Sequence, residues 1–355
     1  MYFHFTDDQR EFGEAMCSFF MKEATPELAR ELWDTPTGRS SEMWARVTAQ
    51  GMLGMSVPER FGGLGCGDDA WSLMTQVIGY YGGSDGLFET AWLAASLIDA
   101  LGPDSPERER WLPRIAAGEV RLAIGHPVNP LVADAHVADL LLLAHGHEVH
   151  AVHREDVRMS PRRSIDASRR LFHVEWTPSR ASCIADAELG QRLWADALNR
   201  GALAVAGQMN GLTQRLIDLS VDYTAQRKQF GKPVGSFQAV KHLIANVAVE
   251  LEFAKPVTYR AAYAQAERED LRDVHVSHAK LVAADAARLA CRNGIQVHGA
   301  MGYTWDMDLQ IFAKRVWALD ATWGDEAFHK ARVAQHVFDP AAALGPGHTF
   351  SESTE

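Results

Sequence analysis

From residue 187 onward, apolar residues recur at the helical period through four long segments, roughly 190–226, 237–268, 272–293 and 306–336. Each such segment carries an apolar stripe that water disfavours. Four in succession bury their stripes most simply against one another, as a bundle. Pro256 falls inside the second segment and is expected to kink or restart it.

The chain ahead of the bundle has two other textures. "VRLAIGHP", "DLLLLAHGHEVHAVH" and "RRLFHVEWTP" are short apolar or alternating runs bounded by Gly, Pro and Asp, and they read as a small β module over 119–186. Residues 1–118 are helical in pattern. Thr6 followed by Gln9 has the form of a capping box, and the helix it opens sets Phe12, Met16, Phe19 and Phe20 on one side. Further helices are expected over Trp44–Met52, 69–101 and 106–117. The glycine-rich "GMSVPERFGGLGCG" interrupts them. Gly63, Gly65 and Gly67 lack the preceding strand and following helix of a dinucleotide loop. The order is thus helical domain (1–118), β domain (119–186), bundle (187–340) and a small polar tail (341–355). That is an α+β chain, mainly α.

A formal net charge of −11 argues against broad binding to nucleic acid or anionic membrane, so any anion site has to be local. No apolar run approaches the ~20 residues of a membrane span. "MYFHFTDDQREF" has no basic start and no apolar core, so it does not read as a signal peptide. Cys17, Cys66, Cys183 and Cys291 are scattered without C-x-x-C spacing, as expected of reduced thiols in the cytoplasm.

Three stretches offer chemistry. "QRKQFGKPVGSFQAVKH" (226–242) gathers Arg227, Lys228 and Lys232 around glycines. A guanidinium can grip a phosphate through two parallel N–H bonds, and amides at a following helix start can point at the same anion. Taken alone, the same residues also suit a solvated turn between helices. In "GIQVHGAMGYTWDMDLQIFAKR" (294–315), Gly294, Gly299 and Gly302 are expected to break a helix where Gln296 and His298 offer polar groups. "HGHEVHAVH" holds His145, His147, His150 and His153. Strand alternation puts His147 and His153 on one face and His150 on the other, which with Gly146 as a turn reads as an exposed hairpin and no metal site.

With "FTDDQREF", "GMLGMSVPERFGGLG", "RERWLPRIAAGE", "RKQFGKPVGSFQAVKH" and "QVHGAMGYTWDMDLQ" in this order along nearly its whole length, the chain resembles the acyl-CoA dehydrogenase family. The resemblance implies an N-terminal helical domain, a middle β domain and a C-terminal four-helix bundle. It also implies FAD lying extended at a subunit interface. Arg227 would pair with the pyrophosphate beside Gln229, Phe230 and Gly231, Gln238 would help near the same ligand, and Gln296 and Gly299 would line the adenosine end. Ala300 stands where the family has a second glycine.

The family desaturates an acyl-CoA thioester, a carboxylate taking the α-proton while the β-hydrogen leaves as hydride to the flavin. Its glutamate sits in one of two places. Here Trp323, just before Gly324, holds one, and Gly201, ten residues ahead of Gly211, holds the other. No catalytic residue is therefore assigned. The β module is also smaller than the family's, with "PVNPLVADAHVAD" where a Thr-Glu-Pro…Gly-Ser-Asp stretch is expected.

These losses resemble the α2β2 dehydrogenases of bacterial steroid and cholesterol catabolism, in which unlike subunits share each FAD. That branch implies a homologous partner bearing the glutamate, a bulky acyl-CoA substrate and an electron-transfer flavoprotein as acceptor. Two other readings stand beside it: a homotetramer using Asp320, Asp325 or Glu326 as a relocated base, and a scaffold without catalysis.

Overall fold

A computed structural model describes residues 5–83 and 86–345, so the tail expected beyond 345 lies outside the described residues. Helix α1 (Asp7–Glu23) opens on the expected capping box. Thr6 Oγ1 accepts from the Gln9 amide at 3.2 Å, Gln9 Oε1 accepts from the Thr6 amide at 3.0 Å, and Met16 and Phe20 are buried. Helices α2 (Pro26–Trp33) and α3 (Ser41–Ala49) start on the hydroxyls of Thr25 and Ser40. The single helix expected over 69–101 is instead divided. Helix α4 (Ala70–Tyr81) ends on Gly82 at φ +66°, and a π-helical turn, Glu89–Ala94, runs into α5 (Ala95–Asp99). Helix α6 (Pro106–Ala116) closes the block.

Seven strands follow: β1 (Leu122–Gly125), β2 (Val132–Ala133), β3 (Leu140–His145), β4 (Glu148–His153), β5 (Arg158–Arg162), β6 (Leu171–Glu175) and β7 (Cys183–Ala185). They form two sheets, ordered β1-β3-β4-β7 and β2-β6-β5. The unbroken "LLLL" of β3 has a physical reason. Leu140 and Leu142 enter the main core, while Leu141 and Leu143 fill a smaller core with Val132 and Val152.

The bundle is α7 (Ala187–Gln226), α8 (Gln238–Ala266), α9 (Arg272–His298), α10 (Leu309–Asp320) and α11 (Glu326–Val337), with a small ribbon of β8 (Lys228–Gln229) and β9 (Lys232–Pro233) after α7. Helix α8 continues through Pro256 without the restart that was one of the two expected outcomes there. Helix α9 carries Gly294 within it and stops only at Gly299, φ +62°. The last expected segment is two helices, parted where Trp323 and Gly324 both take positive φ, +58° and +94°.

Helix α4 joins the bundle by backbone contact. A Cβ on Gly211 would collide with the Gln76 carbonyl, one on Gly79 with the Gln208 backbone, and one on Gly207 with the Thr75 side chain. The β module is tied to the helices by two buried ion pairs, Arg39–Asp134 and Arg315–Asp166, each at 2.6 Å. Among the described residues no helix is long and apolar enough to cross a membrane.

Gly211→Ala is expected to cost about 1–3 kcal/mol by overpacking the α4–α7 contact. Gly13→Ala, in α1 with nothing within 4 Å of the new methyl, should gain up to about 1 kcal/mol. Urea midpoints of the two variants should shift in opposite directions.

Candidate functional site

The basic corner is a two-residue ribbon turn at the end of α7. Lys228 pairs with Pro233 and Gln229 with Lys232, while Phe230 and Gly231 take φ of +54° and +79°. Such a turn thrusts its first residue outward, and Phe230 is 91% exposed. None of Arg227, Lys228 and Lys232 forms an ion pair among the described residues; Lys232 Nζ instead sits 4.3 Å from the Phe237 ring centroid. Gln238 opens α8, a helix long enough to present a strong positive end.

Gln296 is exposed on the last turn of α9, with Gly299 just beyond. Two contacts hold this end beside the corner. The Tyr223 ring, one turn ahead of Arg227, stacks on His298 at 4.2 Å and 20°, and Asn293 Nδ2 donates to the Leu243 carbonyl at 2.8 Å. The seven residues expected to hold the nucleotide thus gather at one exposed end of the bundle. A free guanidinium, a helix start and a projecting aromatic there suit the phosphate and adenine half of a dinucleotide.

The two expected seats of the base meet each other. A Cβ built on Gly201 would come within 2.1–2.5 Å of three Trp323 indole carbons, so the ring packs on bare helix backbone. Trp323 is buried. Its amide donates to Asn129 Oδ1 at 2.8 Å, and its carbonyl accepts from His329 Nε2 at 3.0 Å. The His126 ring lies 5.4 Å from the indole, with Nε2 donating to the Trp194 carbonyl and Nδ1 accepting from the Val128 amide. Burial pushes both His126 and His329 down to about 4, so both are neutral at pH 7. The stretch where the family's flavin-contacting motif is expected, 127–139, here supplies Asn129, which holds the Trp323 backbone. An indole and a neutral imidazole thus stand at and beside the two positions where the family's base is expected.

The other carboxylates considered are engaged elsewhere. Asp320 takes Arg288 at 3.0 Å, Asp325 caps α11 through the Phe328 amide at 2.8 Å, and Glu326 is exposed beside Arg288 at 3.1 Å. Glu89, which sequence patterns did not single out, is buried in a hollow shared with Asn129, Arg169 and Trp323, and its Oε2 accepts from the Gly86 amide at 2.7 Å. Its only sequence signal was a lone carboxylate in the apolar run "LFETAWLAA". A second, apolar cleft lined by Phe20, Leu28, Met43, Trp44 and Phe312 lies between α1–α3 and the β module, and Arg121 stands over the Trp44 ring at 4.3 Å.

The histidine run departs from its sequence reading. The hairpin turn pairs His145 with Glu148 and Leu143 with His150, so His145, Glu148 and His150 share a face, and His150 is buried rather than exposed.

Among protein-family models, "Acyl-CoA dehydrogenase, N-terminal domain" matches residues 6–119 and "Acyl-CoA dehydrogenase, C-terminal domain" matches residues 189–338. Acyl-CoA dehydrogenase IpdE2 of Mycobacterium tuberculosis is 26% identical over 314 residues, 87% of this chain and 91% of its own length. Among solved structures, a chain of the ChsE4-ChsE5 complex from Mycobacterium tuberculosis superposes with a TM-score of 0.82 at 20% identity, covering 96% of this chain and 100% of that one. Butyryl-CoA dehydrogenase from Megasphaera elsdenii gives 0.83 at 18% identity, with the same coverages. These two share the fold.

Gly201→Ala alone should destabilise by about 1–3 kcal/mol because its methyl enters the indole. In a Trp323→Ala background the same change should stabilise by up to about 1 kcal/mol, as Ala favours a helix. A double-mutant cycle of denaturation free energies checks the reversal. The stability that His126 and His329 contribute as neutral rings is whole above their ordinary value of 6.5 and is lost as the pH falls through about 4. Urea midpoints should therefore drop across that window, and less steeply in His329→Gln.

Proposed function

Since the chain belongs to the acyl-CoA dehydrogenase family, we infer that it works as one subunit of an FAD-dependent dehydrogenase acting on the CH–CH bond of an acyl-CoA thioester. Its corner completes a flavin site shared with a homologous subunit, and that partner carries the carboxylate base. The observation that carries this reading is the Trp323 indole packed on Gly201, which leaves neither family position able to abstract a proton.

When bound, FAD supplies the two-electron oxidant. This chain's part is to hold it: Arg227 meets the pyrophosphate with Gln229, Phe230 and Gly231 alongside, Gln238 presents the start of α8, and Gln296 and Gly299 border the adenosine. Gly201 and the C-cap Arg227 are 26 residues apart along α7 and its cap, about 39 Å along the helix axis. That separation favours a corner that serves a neighbour's flavin ring. Phe230, Val249 and Phe253 are exposed on the corner and the adjacent helix α8, as suits a surface that meets another subunit.

The substrate class, a bulky acyl-CoA such as a steroid-derived thioester, and the acceptor, an electron-transfer flavoprotein, rest on the resemblance to the α2β2 branch. The four unpaired thiols suit a reducing compartment such as the cytoplasm.

The chain is to be purified alone and after co-expression with a homologue bearing the missing glutamate. Flavin absorbance and desaturation are expected only in the complex, and Arg227→Ala there should weaken FAD retention by about tenfold or more. A single chain that arrives yellow and desaturates a thioester unaided overturns the reading.

A further inference from the structure

The β3–β4 hairpin concentrates donor atoms at its turn. His150 Nε2 lies 3.2 Å from Glu148 Oε2, and His145 Nδ1 lies 3.4 Å from the same oxygen. The three atoms all fall within 4.8 Å of one another. A tetrahedral ion with bonds of about 2.0–2.1 Å has edges of about 3.3–3.4 Å, so these two contacts already have the length of tetrahedron edges.

The surroundings make the arrangement more specific. Ser182 Oγ lies 3.0 Å from His150 Nδ1 and engages the ring on the side away from Glu148, so Nε2 is the nitrogen presented to the carboxylate. His150 is 2% exposed, with the Trp176 ring 4.9 Å away, so its ring is held in place facing the cluster. A cation seated between the three atoms would bind all of them at once.

We propose that His145 Nδ1, Glu148 Oε2 and His150 Nε2 bind one divalent transition-metal ion of the zinc class, with solvent as the fourth ligand. Two imidazole nitrogens and one carboxylate suit zinc, whereas magnesium and calcium favour all-oxygen shells. Ser182 acts as the outer partner that orients His150, the usual arrangement around a metal-bound imidazole. His145 is exposed and Glu148 half-buried, which leaves the ion a path in. The bound ion would fasten the hairpin to the 179–182 turn that leads into β7. The proposal rests on this hairpin alone and is independent of the flavin reading.

The test is zinc titration of the chelator-stripped protein at neutral pH, alone or in its complex, by calorimetry and by metal analysis after gel filtration. One equivalent is expected. His145→Ala and Glu148→Gln lie at exposed or half-exposed positions, so their metal-free melting temperatures should match that of the parent while zinc affinity falls at least about tenfold. Ser182→Ala should cost about 10–100-fold in affinity. Zinc should raise the melting temperature of the parent and not of the variants. Zinc uptake no greater than in a His145→Ala/Glu148→Gln double variant overturns the proposal. So does an NMR spectrum in which His150 stays an imidazolium at neutral pH with zinc present, since a proton then bridges His150 Nε2 and Glu148 Oε2.

Discussion

The indole of Trp323 resting on the backbone of Gly201 organises everything around it. A flat aromatic can reach a helix axis that closely only where the helix lacks a Cβ, and Gly201 provides the gap. The positive φ of Trp323 and Gly324 turns the chain so that the ring faces inward, and Asn129 and His329 hold the backbone on either side. The neighbouring imidazoles are kept neutral by burial, while Glu89 and Arg169 line the hollow beside the indole. Proton abstraction needs a carboxylate within reach of a carbon acid, and neither family position holds one.

Polar resources have gathered at the far end of the same helix. There a guanidinium without an ion pair among the described residues, a helix start and a strained turn remain open to solvent. Phe230 in the left-handed region, nearly fully exposed, is doubly unfavourable in an isolated chain. Both costs are offset if the ring is covered by a partner. The filled interior and the open corner are thus two aspects of one arrangement, connected by the unbroken length of α7.

Local signals read well in this chain. The capping box at Thr6, the β textures and the helical periods all depend on near neighbours, and the elements appear where those patterns lie. Failures came where distant contacts outweigh local preference. Gly294 stays helical because its bare face lets Leu309 and Ser220 approach, so it serves packing rather than termination. Pro256 does not restart α8, whose neighbouring residues Ala254 and Thr258 are buried in the bundle. The histidine run forms the expected hairpin about Gly146, but His150 is buried against Trp176 and Ser182, contacts that lie 26 and 32 positions further along the chain. Sequence identified Trp323 and Gly201 separately. That they touch is a fact of tertiary structure, since they are 122 positions apart in the chain.

The same contact makes either family position costly to refit. A carboxylate at 201 would strike the indole, and one at 323 would leave a void over a bare helix. Either single change lowers stability before any chemistry is gained, so two coordinated substitutions would be needed where one suffices in a helix without such a ring. An aromatic laid on a glycine thus works as a lock on the sequence as well as a contact in the fold.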